Sequence, residues 1–172
     1  SIRYLTGHPS DAVLVVFSDG YDVLVPWDEI LAKKISFCSK MIPYTKYKND
    51  SIAAVKAVMK KTTHATNKKI AMPPYITYTE FLKFLDALDD FDLKCDDASD
   101  HKLLPECRMV KDEYEIECTR EAGRIGDLII DKIEKEIKAK KIKTETDVAL
   151  RIEREFRIHV CEKTVFDTLA AG

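Results

Sequence analysis

Two kinds of hydrophobic spacing divide this chain. From Lys111 onward the apolar residues recur every three or four positions, at Ala122, Ile125, Ile129, Ile133 and Ile137. That spacing predicts one long amphipathic helix with a single face turned to a core. Asp112, Glu113 and Glu115 stand at its positive end and Lys138, Lys140 and Lys141 near its negative end, each complementing the helix dipole. Thr144-Glu-Thr-Asp147 is a second helix start, and Val148, Ile152 and Phe156 share a face behind it. Before residue 100 the pattern changes to short β-branched runs alternating with short helical stretches. That alternation argues for an α/β layer domain.

Ala12–Phe17 and Tyr21–Val25 read as two antiparallel strands. Asp19-Gly20 lies between them and can adopt the positive φ of a tight turn. Pro26–Lys34 reads as a short helix, with proline in the first turn, acids early and lysines late. Phe37–Tyr44 predicts a third strand closed by Pro43. Asn49-Asp50 can cap a helix whose face carries Ile52, Val55, Val58 and Met59. Lys69–Met72 predicts a short strand ended by Pro73-Pro74. Thr77 and Glu80 form a capping box, with Phe81, Phe84, Leu85 and Leu88 on the stripe that follows. Asp92–Asp96 alternates as a strand does, and Val165–Leu169 predicts another. The expected organisation is an α/β domain over 1–100, a linker over 101–110 and a helical segment over 111–172.

The totals exclude several classes of function. A formal net charge of −2 supplies no long-range field for nucleic acid or an anionic membrane. No run approaches ~18 uninterrupted apolar residues, so no membrane-spanning helix is expected. Ser1–Thr6 lacks the layout of a secretory leader. Five scattered cysteines, Cys38, Cys95, Cys107, Cys118 and Cys161, with no Cys-x-x-Cys pair, predict reduced thiols and a cytoplasmic location.

Chemistry-bearing residues are present without the spacing that chemistry needs. His8, His64, His101 and His159 show no ligand spacing, and His159 with Cys161 is a bare two-residue offset. The acids from Asp86 to Asp100 lack the glycine and terminal glutamate of a calcium loop. Glu134 and Glu136 interrupt the lysine run from Lys132 to Lys143, which reads as a solvated helix face. Ser10 and Asp11 follow His8 without a nucleophile elbow. No glycine loop is present to cradle phosphate. Trp27, Phe37 and Tyr44 read as core or interface.

The order of these features carries a resemblance. Tyr4-Leu5-Thr6-Gly7, the Asp19-Gly20 hairpin and Leu24-Val25-Pro26 look like the creatinase/prolidase N-terminal domain. The stretch from Arg108-Met-Val-Lys-Asp-Glu-Tyr-Glu-Ile-Glu-Cys118 to Phe166-Asp167-Thr168 resembles the start of the pita-bread metallopeptidase domain. Xaa-Pro aminopeptidase, prolidase and creatinase share that domain. The resemblance implies an α/β fold: a mixed, ribonuclease-H-like sheet flanked by helices, then two long helices of an incomplete pita-bread domain. It implies a parent enzyme that hydrolyses the bond before proline with two divalent metals, manganese, cobalt or zinc. The family's Asp…Asp…His…Glu…Glu ligand series has no counterpart here. The segment is therefore expected to be inactive alone, with no catalytic, metal or cofactor residues of its own. Phe166, Asp167 and Thr168 would wall the parent's substrate pocket.

The implied partners are a second copy of the chain and, in the parent, a proline-containing peptide, with neither nucleic acid nor membrane. A non-catalytic peptide- or histone-binding module is the alternative, since the fold family includes a catalytically silent histone-chaperone subunit. Relatives begin earlier, with a helix and a strand, which implies an unsatisfied sheet edge here. Val160 and Val165 stand where relatives often carry small residues, which questions the local turn geometry. The apolar faces of the two long helices are expected to pack on one another, pair between chains or stay poorly ordered.

Overall fold

The computed structural model describes residues 2–95, 103–162, 164, 168 and 170. The chain is an α/β protein that divides into two compact units, residues 1–108 and 109–172.

The first unit is organised around a hairpin. Strand β1 (Ala12–Val16) pairs antiparallel with β2 (Asp22–Pro26), from Ala12 opposite Pro26 to Val16 opposite Asp22. Gly20 closes the turn at φ +87°, a conformation that costs glycine nothing. Asp19 Oδ1 accepts from the Tyr21 amide at 3.0 Å and tightens it. On the other side of β2, the two-residue strand β3 (Lys40–Met41) pairs parallel. The result is a mixed sheet ordered β1-β2-β3, with β1 at its edge among the described residues. A second pair, β4 (Lys69–Ala71) and β5 (Asp92–Lys94), is parallel.

Helices enclose these strands. Helix α1 (Ile2–Thr6) ends at Gly7, φ +74°, where an added Cβ would meet the Ile35 carbonyl oxygen at 3.2 Å. Next come α2 (Glu29–Ile35), a 3-10 turn over Tyr44–Tyr47, α3 (Ser51–Lys61), α4 (Tyr78–Ala87) and α5 (Leu103–Met109). Asp28 caps α2, Asp50 caps α3, and Thr77 with Glu80 forms a capping box on α4. Phe17, Val23 and Val25 pack with Val55, Val58 and Met59 of α3, and with Met72, Leu88 and Leu93. Phe81 and Phe84 of α4 close over this core, while Leu85 stays exposed.

The second unit pairs α6 (Glu113–Lys138) with α7 (Glu145–Ile158), both begun by capping boxes, Asp112 with Glu115 and Thr144 with Asp147. Of the three fates expected for their apolar faces, packing on one another is observed. Ile125, Ile129 and Ile133 are buried against Val148, Ile152 and Phe156.

Three expectations are corrected. Pro26 ends β2 instead of starting a helix, because Asp28 captures the Leu31 amide at 2.9 Å and caps α2 there. The third strand shrinks to Lys40–Met41. Ser39 upstream is tied to the Asp22 carboxylate, and downstream Pro43 lacks an amide and begins the 3-10 turn. Part of the interval read as linker is the helix α5, with Pro105 inside its first turn, where a missing amide is tolerated. In the strand expected over Val165–Leu169, residues 165, 166, 167 and 169 lie outside the described residues.

Both long helices end in the same way. At the α7 terminus the Cys161 amide donates to the Phe156 carbonyl at 2.9 Å and the Val160 amide to the Arg157 carbonyl at 3.1 Å. At the α6 terminus Lys141 donates to Glu136 and Lys140 to Ile137, each at 2.9 Å. This is the Schellman arrangement, which requires a left-handed residue just past the helix. Glycine usually fills that place; here Lys140 (φ 55°) and Val160 (φ 61°) do. The β-branched Val160 bears the greater strain. We expect Val160→Gly to raise stability by about 1 kcal/mol, the relief of a left-handed valine less glycine's entropy. Urea unfolding of the two proteins measures this, and an unchanged or lower midpoint contradicts it.

Candidate functional site

The histidines do not converge. His8 is buried, its Nδ1 3.0 Å from Ser36 Oγ, and its Nε2 has no hydrogen-bond partner among the described residues. His64 Nδ1 lies 2.6 Å from Asp19 Oδ2, and its ring stacks on Tyr21 with centroids 3.8 Å apart. That contact holds the Asp19 carboxyl below its usual range. It braces the hairpin turn against the loop after α3. His159 caps the end of α7. His101 lies outside the described residues, as do Asp96, Asp97 and Asp100 of the acidic stretch. Among the described residues no group of three or more His, Cys, Asp or Glu side chains could hold a metal ion.

An open groove of about 680 Å³ lies on the first unit. Leu5, Leu14, Val16 and Phe37 supply its apolar wall, and Asp22, Ser36, Cys38 and Ser39 its polar groups. These polar groups are already committed. Asp22 Oδ1 accepts from the Ser39 amide at 2.9 Å and its hydroxyl at 2.6 Å. Burial, helped by the Asp22 charge, pushes the Cys38 thiol up, which keeps it protonated and a poor nucleophile. Ser36 meets the imidazole of His8, but none of the hydrogen bonds described supplies a carboxylate to orient that ring, so the pair lacks the third member of a triad. Trp27 and Phe37 are exposed, whereas Tyr44 is buried. The Tyr44 hydroxyl donates to Asp11 Oδ2 at 2.6 Å, which pushes its pKa up to about 12. Tyr44 thus stays protonated and anchors the 3-10 turn to the approach to β1.

The strongest electrostatic feature lies in the second unit. Glu155 of α7 is 2% exposed, yet it carries a carboxylate. Lys132 of α6 reaches it at 2.8 Å, and Arg151 Nε stands 3.5 Å away on its own helix. Arg151 also pairs with Glu136 of α6. The hydrogen bond from Lys132 outweighs the cost of burial and holds the Glu155 carboxyl below its usual range. The helical stripe gave no sign of this buried charge. The readable signal was the four-residue spacing of Lys132 with Glu136 and of Arg151 with Glu155, beside the two apolar faces. Of the three residues expected to wall a pocket, Phe166 and Asp167 lie outside the described residues. Thr168 is partly buried, and its hydroxyl has no hydrogen-bond partner among the described residues.

No family model matches this chain, and no curated protein matches it. Among solved structures it is similar to prolidase from Pyrococcus furiosus, with a TM-score of 0.74 and 22% sequence identity. The likeness covers 98% of this chain and 48% of that one, so the chain spans about half the length of the prolidase it matches. The shared feature is the fold, that of a prolidase-type N-terminal region.

Removing the Lys132 ammonium leaves a buried carboxylate with one imperfect partner. We expect Lys132→Met to cost roughly 2 kcal/mol at neutral pH, as for an unsatisfied buried charge. The folded pKa of Glu155 lies below the unfolded one, so its contribution is present above the unfolded value and lost as pH falls through the folded value. The gap between wild type and variant should therefore close as the pH falls below about 4. Thermal unfolding from pH 7 to pH 3 checks this, and a gap independent of pH contradicts it.

Proposed function

We propose that this chain is the N-terminal part of a metallopeptidase of the Xaa-Pro aminopeptidase or dipeptidase type, which hydrolyses the peptide bond before proline. In this reading residues 1–172 form scaffold and a homodimer contact, and the enzyme works in the cytoplasm. The observation that carries the proposal is the fold likeness to a protein titled prolidase, running through nearly the whole chain. The order of sequence features supports it independently. The five free cysteines are in keeping with a reducing compartment.

The donor set of the described residues does not fit a pair of divalent ions, so no chemical step is assigned to them. In the complete enzyme such ions, manganese, cobalt or zinc, would activate water, and their ligands would come from the remainder of the protein. This chain's part is positional. The α6–α7 pair and the turn at Val160 would deliver the segment bearing Phe166, Asp167 and Thr168 to the substrate pocket as part of its wall.

The test uses the full-length protein that contains this chain, loaded with manganese. Peptides with proline in second position, both dipeptides and longer ones, should be cleaved before proline. Chelation should abolish turnover and added metal restore it, while residues 1–172 alone should show none. Equilibrium sedimentation of the full-length protein should give a dimer. A folded, metal-loaded full-length protein without turnover contradicts the enzymatic reading, and a monomer contradicts the homodimer.

A further inference from the structure

The apolar seam between α6 and α7 does not define its own register. On α6 the buried residues Ile125, Ile129 and Ile133 recur every four positions, and Ile137 continues the series. On α7 Val148, Ile152 and Phe156 recur at the same interval. Sliding one helix along the other by four residues, about 6 Å, brings isoleucine to where isoleucine lay. Apolar burial is non-directional, so the slipped pairings retain most of it.

The charges remove this degeneracy. Glu136 pairs with Arg151 and Lys132 with Glu155, two rungs four residues apart on antiparallel helices. The sign alternates along each helix. A slip in one direction brings Lys132 opposite Arg151, Glu136 opposite Asp147, and the buried Glu155 opposite Leu128. A slip in the other brings Glu136 opposite Glu155 and Lys132 opposite His159. Either way like charges meet and Glu155 loses its lysine, and opposing like charges is a strong way to exclude a pairing.

We propose that this two-rung ladder is a register lock, whose role is to exclude the one-turn-slipped pairings of α6 and α7. The lock fixes the height at which α7 ends, and with it the place where left-handed Val160 turns the chain onward. Attraction within the rungs is secondary. What matters is the alternation of sign along each helix.

Exchanging one rung separates these two ideas. In Glu136→Arg/Arg151→Glu both α6 positions are basic and both α7 positions acidic. Every native pair stays opposite in sign, and the slipped pairs that had like charges, 132 with 151, 136 with 147 and 136 with 155, become opposite as well. Methyl NMR of the full chain reads the register through contacts of Ile129 and Ile133 with Val148 and Ile152. Wild type should give one set of signals and the exchanged protein at least two sets. A single native set in the exchanged protein overturns the proposal. If circular dichroism shows that the exchanged protein does not fold, exchanging both rungs decides. Lys132→Glu, Glu136→Arg, Arg151→Glu and Glu155→Lys together restore the alternation and should restore one set. Several sets in that protein, or its failure to fold, also overturn the lock.

Discussion

Strand β2 is enclosed on both faces, and the first unit depends on that constraint. Val23, Leu24 and Val25 are 2%, 0% and 0% exposed, so successive side chains on opposite faces of the sheet are all removed from water. Each such residue contributes ~1.5–3 kcal/mol of transfer free energy. A strand buried this way needs partners for its backbone on both edges, and β1 and β3 supply them. Helix α3 covers one face through Val55, Val58 and Met59, and the buried Ala32 of α2 belongs to the same unit. The cross-ties that finish this unit are polar and local. Asp22 to Ser39, Tyr44 to Asp11 and His64 to Asp19 each fasten a loop to the hairpin.

The second unit is built on a different principle. Its apolar seam repeats with the helical turn, so hydrophobic burial makes α6 and α7 associate without deciding how they align. Alignment falls to a few charged side chains beside the seam. This division of labour explains why an ionised glutamate is kept 98% from solvent where leucine would fit the stripe. A buried ion pair is weak as a source of stability, and its attested use is to choose among packings.

Much of this was legible in the sequence because it is encoded locally. Asp19-Gly20 with β-branched flanks can be read as a hairpin without tertiary knowledge. Thr77 with Glu80 and Thr144 with Asp147 mark helix starts through side chains that reach their own backbone. The isoleucines of α6 reveal its buried face. The misread parts depend on contacts distant in sequence. The shortness of β3 comes from Ser39 bonding to Asp22, and the end of β2 at Pro26 from the cap formed by Asp28. Glu155 looks like any surface glutamate until Lys132 is placed beside it. Val160 was marked as unusual by its place in the chain, and its backbone is indeed left-handed. Phe166 and Asp167 gave a local pattern whose meaning depends on a pocket that the chain's described residues do not form.

The proposed function makes this chain a segment that positions chemistry performed elsewhere in a larger protein, and polar groups that are already engaged are in keeping with that proposal. In the groove, Asp22 and Ser36 are satisfied and Cys38 is held as a thiol. In the second unit, the charges face one another across two helices. The most direct measurement is a crystal structure of the full-length protein grown with manganese. The account requires a metal centre whose ligands all come from outside residues 1–172. A ligand supplied by this chain, or a full-length protein that binds no metal, would contradict it.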